Sequence, residues 1–337
     1  MLNKLSNLVY FQTSRNDDQY NENLLDFSQL HHLQCLLTSG GVITKNSSLP
    51  SSLRVLGMID GVLLPSLTNT LHLNHIPHLN NILHLNISLN QDIENEHLQS
   101  FVQLQSLRAR NTNITNVNML PQLTFLDITS TLVTDEGIAE LKNLRIFHFE
   151  FTKIKSIIHL KQLEEVFANN SIHTHHIQAP NLRVLSTSHV SGNFTPFVKL
   201  TTLCFSGRPL HLRYELLLNN KSLASLVNLT TLDLSSFDNE DMPALDLKPY
   251  PKLEYLNIKY ETPGYILQES EGNTPSLKTL YVSYPEERIG NLSKGRATRR
   301  RGNTSVNLTQ AWERYIEPFI KHLFPEDCSS HVIDSYL

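Results

Sequence analysis

Along most of the chain the apolar residues recur in one short figure: a leucine, two variable positions, a second large apolar residue, one variable position, and a third residue that is apolar or small. It appears as Leu104/Leu107/Ala109, Leu123/Leu126/Ile128, Leu144/Phe147/Phe149 and Leu163/Val166/Ala168. It continues as Leu182/Leu185/Thr187, Leu200/Leu203/Phe205, Leu229/Leu232/Leu234, Leu253/Leu256/Ile258 and Leu277/Leu280/Val282. Successive first leucines lie 19, 21, 19, 19, 18, 29, 24 and 24 residues apart. In an extended segment alternate side chains take opposite faces, so the fourth and sixth positions point inward while the third, fifth and seventh point out. A short strand in each unit is therefore predicted, about ten in all. At the ninth position Thr112, Thr131, Thr152 and Ser171 supply a hydroxyl to the bend that follows, and Ile114, Val133 and Ile154 turn back inward two residues later. A coiled coil is excluded, because no 3.5-residue period is present and Thr, Asn and Pro interrupt every apolar run.

The figure and its period resemble those of the leucine-rich repeat family, with Thr or Ser where the family more commonly has Asn. The resemblance covers residues 104–284, and a looser version extends over 53–90 through Leu53/Leu56/Met58, Leu71/Leu73 and Leu83/Leu85. It implies an α/β fold, a curved solenoid with a parallel sheet on the concave face, short helical, 3₁₀ or extended return segments on the convex side, and helical caps. In the stretch VTDEGIAELKNLRIFHF, at 133–149, Asp135 and Glu136 stand where a helix N-terminus favours acidic side chains, so its return path is expected to be helical.

Stacked repeats leave an apolar surface open at each end, which caps must cover. Residues 1–50, with Leu24, Leu25, Phe27, Leu30, Leu33, Leu36 and Leu37, are expected to form an N-terminal helical cap or a degenerate first repeat. The solenoid is expected over 51–284, a basic loop over 285–304, and a C-terminal helical cap and tail over 305–337. The last of these places Leu308, Trp312, Tyr315, Ile316, Phe319, Ile320 and Leu323 on one helical stripe, with Pro318 as a kink.

Composition narrows the function classes. The 337 residues carry a formal net charge of −4, which removes the bulk electrostatics of a dedicated nucleic-acid binder. There are 57 Leu and 31 Asn against 8 Ala, a composition unlike that of a helical protein. Cys35, Cys204 and Cys328 are odd in number and far apart, which fits neither a disulfide framework nor a metal site and points to a reducing compartment. The first residues show no Sec-type signal, and no run reaches the roughly 18 apolar residues of a membrane helix. The triplets at Asn86 and Asn113 are therefore expected to stay unglycosylated.

Signatures of catalysis are absent: there is no G-x-S-x-G, H-E-x-x-H, phosphate loop or G-x-G-x-x-G. About fifty residues follow Tyr284, too few for an appended ligase domain, so Cys328 is read as an inert thiol. His72, His75, His78 and His84, with His173, His175 and His176, fall on different repeats without acidic or Cys partners at a metal-ligand spacing, so no metal or cofactor is expected. Lys294, Arg296, Arg299, Arg300 and Arg301 form a basic patch, read as a solvated loop, with nuclear import or contact with acidic lipid or RNA as alternatives. Ser335-Tyr336-Leu337 fits a short carboxyl-terminal ligand pattern that binds by adding a strand.

What remains is the outward strand face. Residues at one repeat position become lateral neighbours about 4.8 Å apart. Two groups stand out on it: Arg108, Arg110, Phe125, Asp127, His148, Glu150, Phe151 and Phe167, then Tyr255, Tyr260, Tyr281 and Tyr284. Aromatic side chains beside Arg have the composition of binding hot spots, so noncatalytic protein recognition is expected of this face. The irregular repeats and the Asn-rich, Ala-poor composition resemble those of leucine-rich-repeat effectors that intracellular bacterial pathogens deliver into host cells. That resemblance implies a virulence role and a host protein as partner. The alternatives are a cytoplasmic scaffold of the producing cell and an enzyme using Cys328 or the histidines.

Overall fold

The structure, a computed structural model, describes residues 7–13, 27–39, 48–59, 78–91, 93–169, 177–188, 194–205, 224–234, 247, 249–259 and 278–283. The chain divides into two compact units, Met1–Ser283 and Tyr284–Leu337, and the second lies outside the described residues. In the first unit the strands are β1 (Tyr10–Thr13), β2 (Cys35–Ser39), β3 (Val55–Ile59), β4 (His84–Asn86), β5 (Ser106–Arg108), β6 (Phe125–Asp127) and β7 (Ile146–His148). They continue as β8 (Glu165–Ala168), β9 (Val184–Thr187), β10 (Thr202–Phe205), β11 (Thr231–Asp233), β12 (Tyr255–Lys259) and β13 (Thr279–Ser283).

All thirteen belong to one sheet in chain order, each parallel to the next. Parallel neighbours in unbroken order are what a one-dimensional stack of repeats requires, since each unit packs only on the units beside it. The register is that of the sequence figure: Leu107, Leu126, Phe147, Val166, Leu185, Leu203, Leu232 and Leu256 stand in line across neighbouring strands. These residues, with Leu104, Leu123, Leu144 and Leu163 from the first position, are buried in one continuous apolar core. Each such leucine contributes about 1.5–3 kcal/mol on burial. Phe147 and Phe149 stack within that core with ring centres 4.4 Å apart.

The strand count exceeds the ten or so read from the figure. Two further rungs come from Leu8/Phe11/Thr13 and Leu33/Leu36/Thr38, where a Thr fills the sixth position as it does in Leu182/Leu185/Thr187. Thr38 is buried there because its hydroxyl donates to the Gly57 carbonyl at 3.2 Å. Around β4 the figure is Ile82/Leu85/Ile87, one residue away from the Leu83/Leu85 reading; Ile82 is buried and Leu83 half-buried. Leu71 and Leu73 lie outside the described residues.

The described return segments are short. The expected helix after Val133 is a single 3₁₀ turn, Glu136–Ile138, and others occur at Leu79–Asn81 and Asn95–Leu98. Gly137 sits in the first of these because a Cβ there would fall 2.5 Å from the Thr115 carbonyl oxygen of the preceding repeat. The bends after β4, β5, β6 and β7 pass through a left-handed residue at the eighth position: Leu89, Asn111, Ser130 and Phe151 all have φ between 52° and 64°. The ninth-position hydroxyl then closes the bend. Thr112, Thr131 and Thr152 donate to the carbonyls of Ala109, Ile128 and Phe149 at 2.9, 2.7 and 2.8 Å, the role expected of them. Ser171 lies outside the described residues. Replacing the buried Thr131 by Val should cost about 1 kcal/mol in a urea titration, since the Ile128 carbonyl keeps the backbone N–H of Thr131 as a donor.

The excess of polar amides has a structural cause as well. The residue just before the first apolar position reaches back to the preceding repeat: Asn81 donates to the Ser51 carbonyl, Asn143 to Pro121 and Asn228 to Val198, at 2.9–3.1 Å. One step after that apolar position, Thr124, Thr201 and Thr230 donate to the carbonyls of Gln105, Arg183 and Thr201. Neighbouring repeats are therefore stapled by side chains at the entries to β4, β6, β7, β10 and β11 as well as by the ladder of the sheet.

Candidate functional site

The fifth-position row is in lateral register across the sheet: Asn86, Arg108, Asp127, His148, Phe167, Ser186, Cys204, Asp233, Asn257 and Tyr281 follow one another strand by strand. This order was readable from the spacing alone. Exposure was not. Asp127 and His148 are 0% exposed, and Phe125 and Phe167, read as exposed aromatic anchors, are 0% and 3% exposed. The reason is lateral packing at strand spacing. The His148 ring lies between those of Phe125, at 5.5 Å, and Phe167, at 4.1 Å, so each ring shields the next.

Beside this stack sits an ion cluster. Arg110 Nε donates to Asp127 Oδ2 at 2.5 Å, and Arg108 Nε lies 3.6 Å from the same oxygen. The other carboxylate oxygen accepts the Thr129 backbone N–H at 3.2 Å. Burial opposes the charge on Asp127. The surrounding positive charge overrides it, from the His148 ring when protonated and from Arg110 and Arg108 at every ordinary pH, and the carboxyl is held below its usual value. His148 is driven the opposite way from a free imidazole: burial lowers it to about 3 against the pull of Asp127, so at neutral pH it is an uncharged ring. Neither of its ring nitrogens has a hydrogen-bond partner among the described residues. Glu150, one strand-length further along, is raised by burial, against which the Asn169 amide that donates to it and the Arg110 charge work.

Of the first group, then, Arg108, Arg110, Asp127, His148, Phe125 and Phe167 are brought together. Glu150 joins them on the seventh-position row, and Phe151 stands outside on the bend, 60% exposed. Sequence reasoning passed over Asn169 and Ser186, which extend the polar network from Glu150: the Ser186 hydroxyl donates to the Asn169 amide oxygen at 3.3 Å. Their place beside Glu150 in the rows was the available signal.

The second group does not assemble in the same way. Tyr255 is half-buried at the start of β12 and Tyr281 lies in β13 opposite Asn257, while Tyr260 and Tyr284 lie outside the described residues. So do Lys294, Arg296, Arg299, Arg300, Arg301, Cys328, His72, His75 and the cluster at His173. His78 is exposed and His84 buried, and among the described residues no group of three His, Cys, Asp or Glu side chains could hold a metal. No described helix is long and apolar enough to cross a membrane.

Repeat period, parallel order and a core built from one recurring figure define the class: the chain is a leucine-rich-repeat solenoid. It is similar to a chain of the mouse RP105/MD-1 complex, with a TM-score of 0.50 and 18% identity over 82% of this chain and 50% of that one. It is also similar to the functional domain of InlJ from Listeria monocytogenes (TM-score 0.44, 17% identity, 77% of this chain and 60% of that one). An internalin of the same organism, inlF, matches at TM-score 0.40 and 19% identity over 71% of this chain and 70% of that one. No family model matches the sequence, and no curated protein matches it. Identities this low speak to the fold alone.

Proposed function

We propose that the outward strand face around β5–β7 recognises a protein partner without catalysis. One observation carries the reading: charged and aromatic side chains are concentrated there, with Arg108, Arg110, Asp127, His148 and Glu150 in adjacent rows. The same rows turn to Ser186, Ser188 and Cys204 over the next strands. Because Phe125 and Phe167 are buried on either side of His148, they act as the floor that fixes its ring, Asp127 fixes Arg110, and the contacting residues are Phe151, Arg110 and Arg108. Interfaces draw their energy from aromatic and Arg side chains of this kind. The cysteines within the described residues support a noncatalytic role, since burial pushes the thiols of Cys35 and Cys204 up to about 12, too high for thiolate chemistry at neutral pH.

The irregular repeats and Asn-rich composition favour an effector acting on a host protein. A translocation reporter fused ahead of residue 1 checks that part, and retention of the reporter in the producing cell leaves the scaffold reading. For the face itself, a pull-down from host lysate is repeated with Phe151→Ala, chosen because that side chain is exposed and stands outside the ion cluster. The partner's affinity should fall by about thirtyfold, the loss of roughly 2 kcal/mol typical of a hot spot. Unchanged affinity removes this face from the interaction.

A further inference from the structure

A second surface runs along the entry edge of the strands, formed by the residues two before, one before and one after each first apolar position. From β9 to β11 this edge reads Pro180, Asn181, Arg183, then Val198, Lys199, Thr201, then Val227, Asn228, Thr230. No carboxylate occurs in these positions, although the chain as a whole is acidic, at −4. The repeats on either side add Lys161 and Lys252. Their own carboxylates are already engaged, Glu164 by Arg145 at 2.5 Å and Glu254 by Lys278 at 2.8 Å.

The lysines of the edge are held by neutral amides: Lys161 Nζ donates to Gln178 at 2.8 Å, Lys199 Nζ to Asn181 at 2.7 Å and Lys252 Nζ to Asn228 at 2.6 Å. A neutral acceptor fixes the ammonium in place and leaves its charge uncancelled. Between the cations the surface is apolar and open, with Val198 52% and Val227 47% exposed and Pro180 and Pro251 exposed beside them. Four cations with no carboxylate partner among the described residues and four small apolar side chains thus alternate over five repeats, a strip about 19 Å long at the spacing of parallel strands.

We propose that this edge docks on an anionic lipid bilayer, with Lys161, Arg183, Lys199 and Lys252 against the headgroups and the valines and prolines against the interface. The composition separates this from a protein contact. Protein interfaces are depleted in Lys and anchored by aromatic residues, Met or Arg at their centre, whereas three of the four cations of this edge are Lys and no aromatic residue occupies those positions between β9 and β11. Diffuse Lys charge is what an acidic leaflet attracts, by an amount that adds with each residue and fades within a Debye length.

The test is co-sedimentation of the full chain with vesicles of phosphatidylcholine alone and with about 30% phosphatidylserine added, a fraction chosen to give a clearly negative surface. Binding is expected only to the second kind, and it should be lost in high salt. Lys161→Glu, Lys199→Glu and Lys252→Glu together should weaken it by at least about tenfold, with circular dichroism unchanged because all three side chains are exposed. A chain with Arg299, Arg300 and Arg301 changed to Ala should bind as before. Failure of the unaltered chain to sediment with acidic vesicles overturns the proposal, as does full binding by the Lys→Glu variant. Loss of binding in the Arg→Ala chain also overturns it, by moving the contact to 299–301. Binding of the edge to an acidic protein in the absence of any vesicle binding would assign it to that class of partner instead.

Discussion

Replacing Asp127 by Ala is expected to cost about 3–5 kcal/mol, the loss that follows when one member of a buried ion cluster is removed and the others stay behind. Both Arg108 and Arg110 bring their Nε atoms to the same Asp127 oxygen, and the carboxylate is fully buried. Without it, two guanidinium groups sit side by side with no carboxylate between them. The Thr129 N–H loses its acceptor too. Asp127→Asn should fall between Ala and the unaltered chain, since an amide oxygen can still accept from Thr129. A triple change of Arg108→Met, Arg110→Met and Asp127→Leu should recover most of the loss, because apolar side chains of similar volume need no compensating charge. Urea titrations of the four proteins check the order. A solenoid can open locally, so hydrogen exchange at β5–β7 should show the loss first. If Asp127→Ala costs less than about 1 kcal/mol, the cluster is solvated in solution and is no longer an obstacle to a partner.

The second large effect is in pH. His148 titrates near 3 in the folded chain and near 6.5 when unfolded, and His84 near 4, both lowered by burial. Between those values the unfolded chain binds more protons than the folded one, so stability rises with pH across this window. The contribution is fully present above about pH 6.5 and drains away as the pH falls toward 3. At about 1.4 kcal/mol per pKa unit, the His148 share amounts to several kcal/mol. Glu150 works in the other direction, since a carboxyl raised by burial favours the folded chain while protonated and withdraws that support as the pH climbs through its folded value. His148→Phe places a third ring between Phe125 and Phe167 and removes two nitrogens that have no partner among the described residues. Relative to the unaltered protein, the variant should gain more at pH 5 than at pH 7.5. Equal gains at both would mean that the folded chain protonates His148 as readily as the unfolded one.

The fold and the row order were legible in the sequence because both depend on spacing. Leu107, Leu126, Phe147 and Val166 occupy one register because parallel strands of equal phase can pair in no other way without turning their apolar residues outward. Arg108 beside Asp127 follows from the same arithmetic. What spacing does not carry is depth. Whether Phe125 is a contact or a floor depends on the sizes of the side chains one strand away, and His148 with Phe167 proved large enough to close over it. Residues 1–50 were left open between a helical cap and a degenerate first repeat, and β2 falls on the second of these, with the sixth-position Thr38 bonded to the neighbouring rung. The helix expected after Val133 is one 3₁₀ turn, and the backbone of the previous repeat passes so close to Gly137 that no side chain fits there.

The unequal steps between units, from 18 to 29 residues, have a consequence for how such a chain can change over time. Paired residues are counted from the strand, so extra length inserted after the bend is spent before the next strand begins and never reaches the pairing. Insertions and deletions there are silent for the order of the outward rows, while a single residue gained inside a strand would reverse every side chain after it within that rung. The pairing thus tolerates changes of length in the connecting segments and not within the strands. A lineage can lengthen, shorten or duplicate its units while Arg108, Asp127 and His148 go on meeting one another side by side.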